Sequence, residues 1–287
     1  MLVSVNYHSR SSLIERFDPR ARWIFSLSTL FAIVSFWDIR FLAFFFILSV
    51  VQYTLTRLTW RETRRAWILI LLLAFSMVFF NTIITSAGTI GSVMKGGHPV
   101  LTVPIHLFEW ESQFVLTIER LWFGLAQILR ILAIALLFMV IPFTMDPRSY
   151  GVTFRGMGLP DRLAFTLDLA FHFIPTLGRD FNVTLDAQRA RGYEIERTQG
   201  GLFAQIRRVA PLLVPVTMNS ILTGEDVANA MDLRCFGLGP RTWIQQLQYR
   251  WFDYALIALG VLLLTGALFT RYALGLGDFW VPAWLIS

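Results

Sequence analysis

Runs of mostly apolar residues recur along this 287-residue chain. Several approach the length of about 20 residues that a helix, rising about 1.5 Å per residue, needs to cross a hydrocarbon layer about 30 Å thick. Trp23 to Phe36 and Phe41 to Thr56 are separated only by the turn Trp37-Asp38-Ile39-Arg40, which predicts a helical hairpin. Further spans are expected over Ala66 to Thr85, over Leu121 to Ile141 with Arg130 embedded in it, and over Tyr254 to Phe269. Leu274 to Ile286 is also apolar, but Gly275, Gly277, Asp278 and Pro282 interrupt it, so it reads as an interfacial segment or a short sixth helix.

Between Thr144 and Arg250 the pattern changes from all-apolar to one-sided. Leu163, Leu167, Ala170, Ile174, Leu177, Phe181 and Leu185 step by three or four residues, as one helical face requires. Pro160 and Asp161 supply a start for this helix, and Gly192, just after Arg191, supplies a stop. A second stripe follows the Gly200-Gly201 breaker: Leu202, Ile206, Val209, Leu213, Val216, Ser220, Gly224, Val227 and Met231, with Arg234 at the next step. Each helix would be about 45 Å long for about 30 residues. Pro175 in the first, and Pro211 and Pro215 in the second, are expected to bend them. Both are too polar to span a membrane and too apolar to stand alone, so they should pack on each other beneath the bilayer. Each ends in an arginine within a short motif, Ala190-Arg191-Gly192 and Leu233-Arg234-Cys235. Asp18-Pro19 and Asp146-Pro147 have the form of helix starts, with Asp as the cap and Pro in the first turn.

Composition narrows the class. A content of 55% hydrophobic and 15% aromatic residues, with 26 Phe and 10 Trp, is too apolar for a soluble fold. The 25 basic residues outnumber the 19 acidic ones, and 24 of the 25 are Arg, which favours planar contacts with carboxylates or phosphates. A membrane surface or an acidic protein fits that bias. Nucleic acid does not, because the arginines are dispersed among apolar helices and form no basic stripe. The single cysteine, Cys235, excludes an internal disulfide and a Cys-rich metal site.

Charge also orients the chain. Arg57, Arg61, Arg64 and Arg65 follow the second span, whereas Ser86 to Ser112 carries only Lys95, and cytoplasmic loops are the ones that collect Lys and Arg. The first 22 residues carry charges throughout and no cleavage site, unlike a signal peptide. The expectation is a multi-pass protein of a prokaryotic cell membrane with its N-terminus in the cytoplasm and residues 86–113 outside. The stretch Thr144 to Arg250, with 12 Arg, would then be cytoplasmic. The fold class is accordingly all-α, with five or six transmembrane helices and two long cytoplasmic helices. Residues 1–142 form the first membrane region, 143–250 the cytoplasmic pair and 251–287 the second membrane region.

Signs of chemistry are sparse. There is no G-x-x-x-x-G-K-[ST] loop, and Lys95-Gly96-Gly97 would lie outside, so any ATP hydrolysis is expected from a partner. No H-E-x-x-H, nucleophile elbow or intramembrane acid pair suggests an enzyme, and no cofactor is implied. His98, His106, Glu109 and Glu111 share the external stretch, but their spacing matches no ligand pattern, so no metal is expected. Cys235 is read as a small packing residue. Arg130 is costly in lipid; it should face the bundle and brace the cytoplasmic helices, with direct substrate contact the lesser reading.

Several motifs resemble the transmembrane T component of energy-coupling factor transporters, the family that includes the cobalt-transport permease CbiQ. Ser12-Leu13-Ile14-Glu15-Arg16-Phe17-Asp18-Pro19-Arg20 is similar to that family's S-x-x-H-R-L-D-P-R, and His172-Phe173-Ile174-Pro175 to its R-F-x-P. Ala187-Gln188-Arg189-Ala190-Arg191-Gly192 matches A-Q-x-A-R-G. About 40 residues later, Glu225 to Phe236 is similar to E-E-L-A-x-A-M-E-A-R-G-Y. The departures are Glu15 for His, His172 for Arg, Thr223-Gly224 for Arg-Ala, and Leu233 and Cys235 flanking Arg234 in place of Ala and Gly.

The resemblance implies a coupling subunit that joins two ABC-type ATPase subunits to a substrate-binding S-type membrane subunit, for ATP-driven uptake of a vitamin or metal ion. It assigns Arg191 and Arg234, with Ala190, Gly192, Leu233 and Cys235, to ATPase docking. One arginine at a helix C-terminus is explained by the helix dipole alone. Two, in matching motifs at the ends of paired helices, point to docking. Glu225 and Asp226, with Pro175 and Arg130, would support the helices; the two acids either pair within the helix network, the favoured reading, or meet basic residues on an ATPase. A self-sufficient secondary carrier is the alternative, but it would need midplane polar residues beyond Arg130 and Asn81, or an internal repeat.

Overall fold

The computed structural model describes residues 12–86, 99–107, 110–192, 202–239, 243–244, 246–278, 280 and 282. Over 81–86, 99–107, 110–117, 119–120 and 202–210 only the backbone is described. The chain is an all-α membrane protein with one added β-hairpin. It divides into two compact units, one built on Asp146–Leu247 and the other joining Tyr7–Met145 to Gln248–Ser287.

The larger unit contains α1 (Pro19–Ser35), α2 (Ile39–Leu55), α3 (Trp60–Ser86), α4 (Ile118–Thr144) and α8 (Trp251–Tyr272). The apolar stretches Trp60–Phe80, Leu121–Thr144 and Trp251–Tyr272 are long and apolar enough to cross a membrane. With 17 residues each, α1 and α2 stand at the lower limit of spanning length. Asp18 caps α1 by accepting the Arg20 N–H at 2.9 Å with Pro19 in the first turn. Asp38 caps α2 in the same way through Arg40, at 3.0 Å. After α8, Leu274 to Asp278 is not helical.

The first and last of these helices run side by side in the same direction. The buried Asp253 carboxylate accepts the Asp18 N–H at the start of α1 and the Arg250 N–H at the start of α8, each at 2.7 Å. A Cβ on Gly260 of α8 would stand 3.1 Å from the Phe25 Cα of α1, so the close approach of the two backbones favours glycine there. At the far end the Trp37 N–H donates to the Gly277 carbonyl at 2.8 Å. The Arg271 guanidinium donates to the Ser35 carbonyl and the Arg130 guanidinium to the Phe36 carbonyl. These carbonyls belong to the end of α1, where the helix has no further N–H to offer them.

Helix α4 runs opposite to α1. Near its C-terminus, Thr144 receives the buried Arg22 guanidinium on its carbonyl at 3.2 Å and its hydroxyl at 3.0 Å. Gln52, near the end of α2, lines one small cavity with Arg22 and Thr144. The starts of α1 and α8 and the ends of α2 and α4 therefore lie at one end of this unit. The core gathers Ala32, Ile33, Phe36, Leu42, Phe45, Ala126, Ala133 and Ala267. Its alanines admit close helix approach, the packing that helices in lipid rely on. By contrast α3 keeps Leu69, Leu72 and Phe75 more than 60% exposed, as a helix facing lipid does.

The stretch expected as an external loop contains β1 (Pro99–Leu107) paired antiparallel with β2 (Trp110–Thr117). Val100, Val103, Ile105 and Val115 favour extended backbone. Pro104 is tolerated because a two-stranded ribbon has only edges.

The smaller unit holds α5 (Tyr150–Gly156), α6 (Asp161–Ala190) and α7 (Leu202–Leu233). Helix α5 was not expected from the sequence. The assignment of α6 continues through Pro175, and that of α7 through Pro211 and Pro215.

Replacing Asp253 by Ala should destabilise the membrane unit by about 2 to 5 kcal/mol, since two buried amides lose their acceptor. Asp253→Asn, which keeps one carbonyl oxygen, should cost less. Thermal unfolding in detergent measures both; curves that overlay wild type would show that the carboxylate does not join these helices.

Candidate functional site at the ends of the paired helices

Helices α6 and α7 lie antiparallel. Phe165, near the start of α6, packs on Phe236, just past the end of α7, with ring centroids 4.6 Å apart. Farther along, the Asn219 amide donates to Asp180 Oδ2 at 3.1 Å. Arg191 and Arg234 therefore occupy opposite ends of the pair. A 30-residue helix lies between them, about 45 Å of rise. Only part of the predicted stripe is covered: Leu163, Ile174, Leu177 and Leu213 remain exposed.

Both ends close with a left-handed residue. After α6 the chain turns at Gly192, φ +83°, whose N–H donates to the Arg189 carbonyl at 2.9 Å. After α7 it turns at Cys235, φ +53°, whose N–H donates to the Asp232 carbonyl at 2.9 Å, and the Phe236 N–H reaches the Met231 carbonyl at 3.0 Å. That pair of bonds is the usual closure of a helix by a left-handed residue. Cys235 thus does what glycine does at Gly192, despite a side chain that disfavours the conformation. The expectation that Cys235 packs is corrected here, because its thiol is exposed.

Each arginine sits between the last helical residue and the left-handed one. Ala190, Arg191, Gly192, Leu233, Arg234 and Cys235 are all exposed, Leu233 by 86%. Among the described residues neither guanidinium has a hydrogen-bond or ion-pair partner, so each presents a full set of donors outward. Arg189, by contrast, pairs with Asp186 at 3.4 Å. Glu225 and Asp226 are exposed on α7, and among the described residues neither forms the intramolecular ion pair expected of it.

Arg130 takes its described partners from the α1–α2 turn, the Phe36 carbonyl and the Trp37 ring 4.4 Å away. The expected bracing of the long helices is not what these contacts do. Pro175 lies inside α6, exposed on the wall of a cleft with Arg148, His172 and Arg179. Sequence reading had picked out His172 and Pro175 but neither arginine. The 172–175–179 spacing on one helix face was the available signal for Arg179; nothing in a single sequence connects Arg148 to it. Among the described residues no group of three or more His, Cys, Asp or Glu is placed to hold a metal ion. His98 and Glu109 lie outside the described residues, as do the side chains of His106 and Glu111.

Residues 10–245 match the family model CbiQ, cobalt transport protein. The chain is similar to the energy-coupling factor transporter transmembrane protein EcfT of Thermosediminibacter oceani, 29% identical over 221 residues that make up 69% of this chain and 83% of that one. It is 26% identical to EcfT of Staphylococcus aureus over 260 residues, 87% of this chain and 89% of that one. With EcfT of Lacticaseibacillus paracasei it shares 38% identity over a shorter stretch of 107 residues, 37% of this chain and 39% of that one.

Cys235→Gly should stabilise the end of α7 by about 1 kcal/mol, and Gly192→Ala should destabilise the end of α6 by about as much, because only the first change relieves a left-handed L-residue. Unfolding midpoints of the two variants should move in opposite directions; a shared direction would refute the common closure.

Proposed function

Because the chain belongs to the CbiQ family of cobalt transport proteins, we propose that it is the membrane coupling subunit of an energy-coupling factor importer. In this reading Arg191 and Arg234 each dock one of two ABC-type ATPase subunits, and the membrane unit holds a separate substrate-binding subunit for a vitamin or a metal ion. One observation carries it: two guanidiniums without a partner among the described residues stand at opposite ends of one antiparallel helix pair, each just before a left-handed turn. A guanidinium held at a helix end offers a fork of fixed donors that can grip two carboxylate or carbonyl oxygens at once, which makes a stiffer joint than a lysine would.

Topology supports the side on which this happens. The starts of α1 and α8 and the ends of α2 and α4 share one end of the membrane unit, so the chain leaves after Thr144 and returns at Arg250 on the same face. Arg57, Arg61, Arg64 and Arg65 follow α2 at that face, and such a basic cluster is retained in the cytoplasm. The N-terminus and the helix pair are then cytoplasmic, where ATP is available. Nucleotide binding draws the two ATPases together, the docked ends of α6 and α7 follow, and the pair transmits that displacement to the substrate-binding subunit. The apolar side chains left exposed on the pair, among them Ile174, Leu213, Met218 and Leu222, offer a partner contact area.

Co-purification in mild detergent with the ATPase pair tests the reading. Arg191→Ala and Arg234→Ala should each weaken retention about 10- to 100-fold, the effect of losing a charge-assisted contact. The double variant, still folded by circular dichroism, should lose the ATPases. A wild-type protein that never retains them, or a double variant that retains them fully, overturns the proposal.

A further inference from the structure

Between α6 and the segment preceding α5, the Asp146–Leu247 unit contains a cleft of about 350 Å³. Its wall has two characters. Phe171, Phe173 and Val227 are among its apolar lining residues, and Arg148, His172 and Arg179 are its basic ones. Among the described residues neither the Arg148 nor the Arg179 guanidinium has a hydrogen-bond or ion-pair partner. Among the described residues Asp146, Asp168 and Asp180 form no ion pair with either arginine, and Asp168 Oδ1 is buried beside His172 without a hydrogen-bond partner. Asp146 accepts the backbone N–H of Arg148 at 3.0 Å, Asp180 accepts from Asn219 at 3.1 Å, and Asp168 stands 3.9 Å from His172. The cleft therefore brings together two guanidiniums that lack an ion-pair partner among the described residues and several apolar side chains.

We propose that this cleft binds an anionic phospholipid, the phosphate held by Arg148 and Arg179 and the glycerol and upper acyl chain laid against Phe171, Phe173 and Val227. Two guanidiniums lining one cleft suit phosphate oxygens, because their fixed forks each present two donors. A small soluble anion would use the basic residues and leave the apolar ones in contact with water, whereas a lipid uses both. Position favours the lipid as well. Arg148 follows Thr144, the last residue of the spanning helix α4, by four residues, a tether of at most about 14 Å. That is within reach of the headgroup layer, where anionic lipids attract cationic side chains near a spanning helix. This inference goes beyond the coupling role and does not depend on which subunits dock.

Native mass spectrometry of the full chain in neutral detergent, titrated with phosphatidylglycerol or phosphatidylcholine, tests it. Wild type should keep one phosphatidylglycerol at least tenfold more tightly than phosphatidylcholine. Arg148→Gln and Arg179→Gln should each weaken that binding about fivefold, and the double variant about thirtyfold, from the attraction of each basic residue for an anionic surface. Arg148→Lys/Arg179→Lys, which keeps both charges but loses the forks, should bind phosphatidylglycerol more weakly than wild type and more tightly than the Gln double variant, which separates lost charge from lost fold. Three results overturn the proposal: equal binding of the two lipids, undiminished phosphatidylglycerol binding by the Gln double variant, or displacement of the lipid by inorganic phosphate.

Discussion

A helix end in or near lipid has backbone groups that water does not satisfy, and leaving them bare costs several kcal/mol each. In this protein distant side chains satisfy them. One carboxylate, Asp253, serves the first amides of both α1 and α8, and Arg130 and Arg271 serve the last carbonyls of α1. The arrangement of the membrane unit follows from these contacts. They set α1 and α8 parallel and level, which places α4 against them in the opposite sense and brings Thr144 back to Arg22. Charges that would be costly in the bilayer are thus placed where a helix dipole or an orphaned peptide group answers them.

How much of this could be read from one sequence depended on how local each determinant is. Asp18-Pro19 and Gly192 act on neighbours within a turn, and both behave as the sequence suggested. The stripe beginning at Leu163 gave the course of α6 for the same reason. Asp253 could not be read, because its second partner lies 235 residues away. Arg130 was recognised as costly, but its partners at Phe36 and Trp37 lie in the α1–α2 turn, about 90 residues away, and leave no periodic trace. The hairpin from Pro99 to Thr117 was obscured by the Gly-rich stretch before it and by Pro104, a residue that only an edge strand accommodates. At Cys235 no glycine marks the end of the helix, yet backbone bonds to Met231 and Asp232 hold the left-handed turn.

The helix pair shows how alike two joints can be made from different residues. Glycine turns the chain after Arg191 and cysteine after Arg234, and in both cases the arginine is the last residue before the reversal. The residues flanking it need only permit the turn, so sequence differences there leave the presentation of the guanidinium unchanged. Apolar positions left uncovered along α6 and α7 fit a pair whose packing is incomplete in the isolated chain.

The parallel clasp of α1 and α8 has a consequence for biosynthesis. At about 5 to 20 residues per second, a ribosome needs about 10 to 50 seconds to pass from Asp18 to Asp253. Throughout that interval the start of α1 lacks its acceptor and the Gly260 surface against which Phe25 rests does not exist. The first helix is therefore inserted well before it can be finished, and the membrane unit closes only after the helix pair has been translated. A truncated or stalled chain keeps the ends of α1 unsatisfied, a state that quality-control proteases can distinguish from the completed protein.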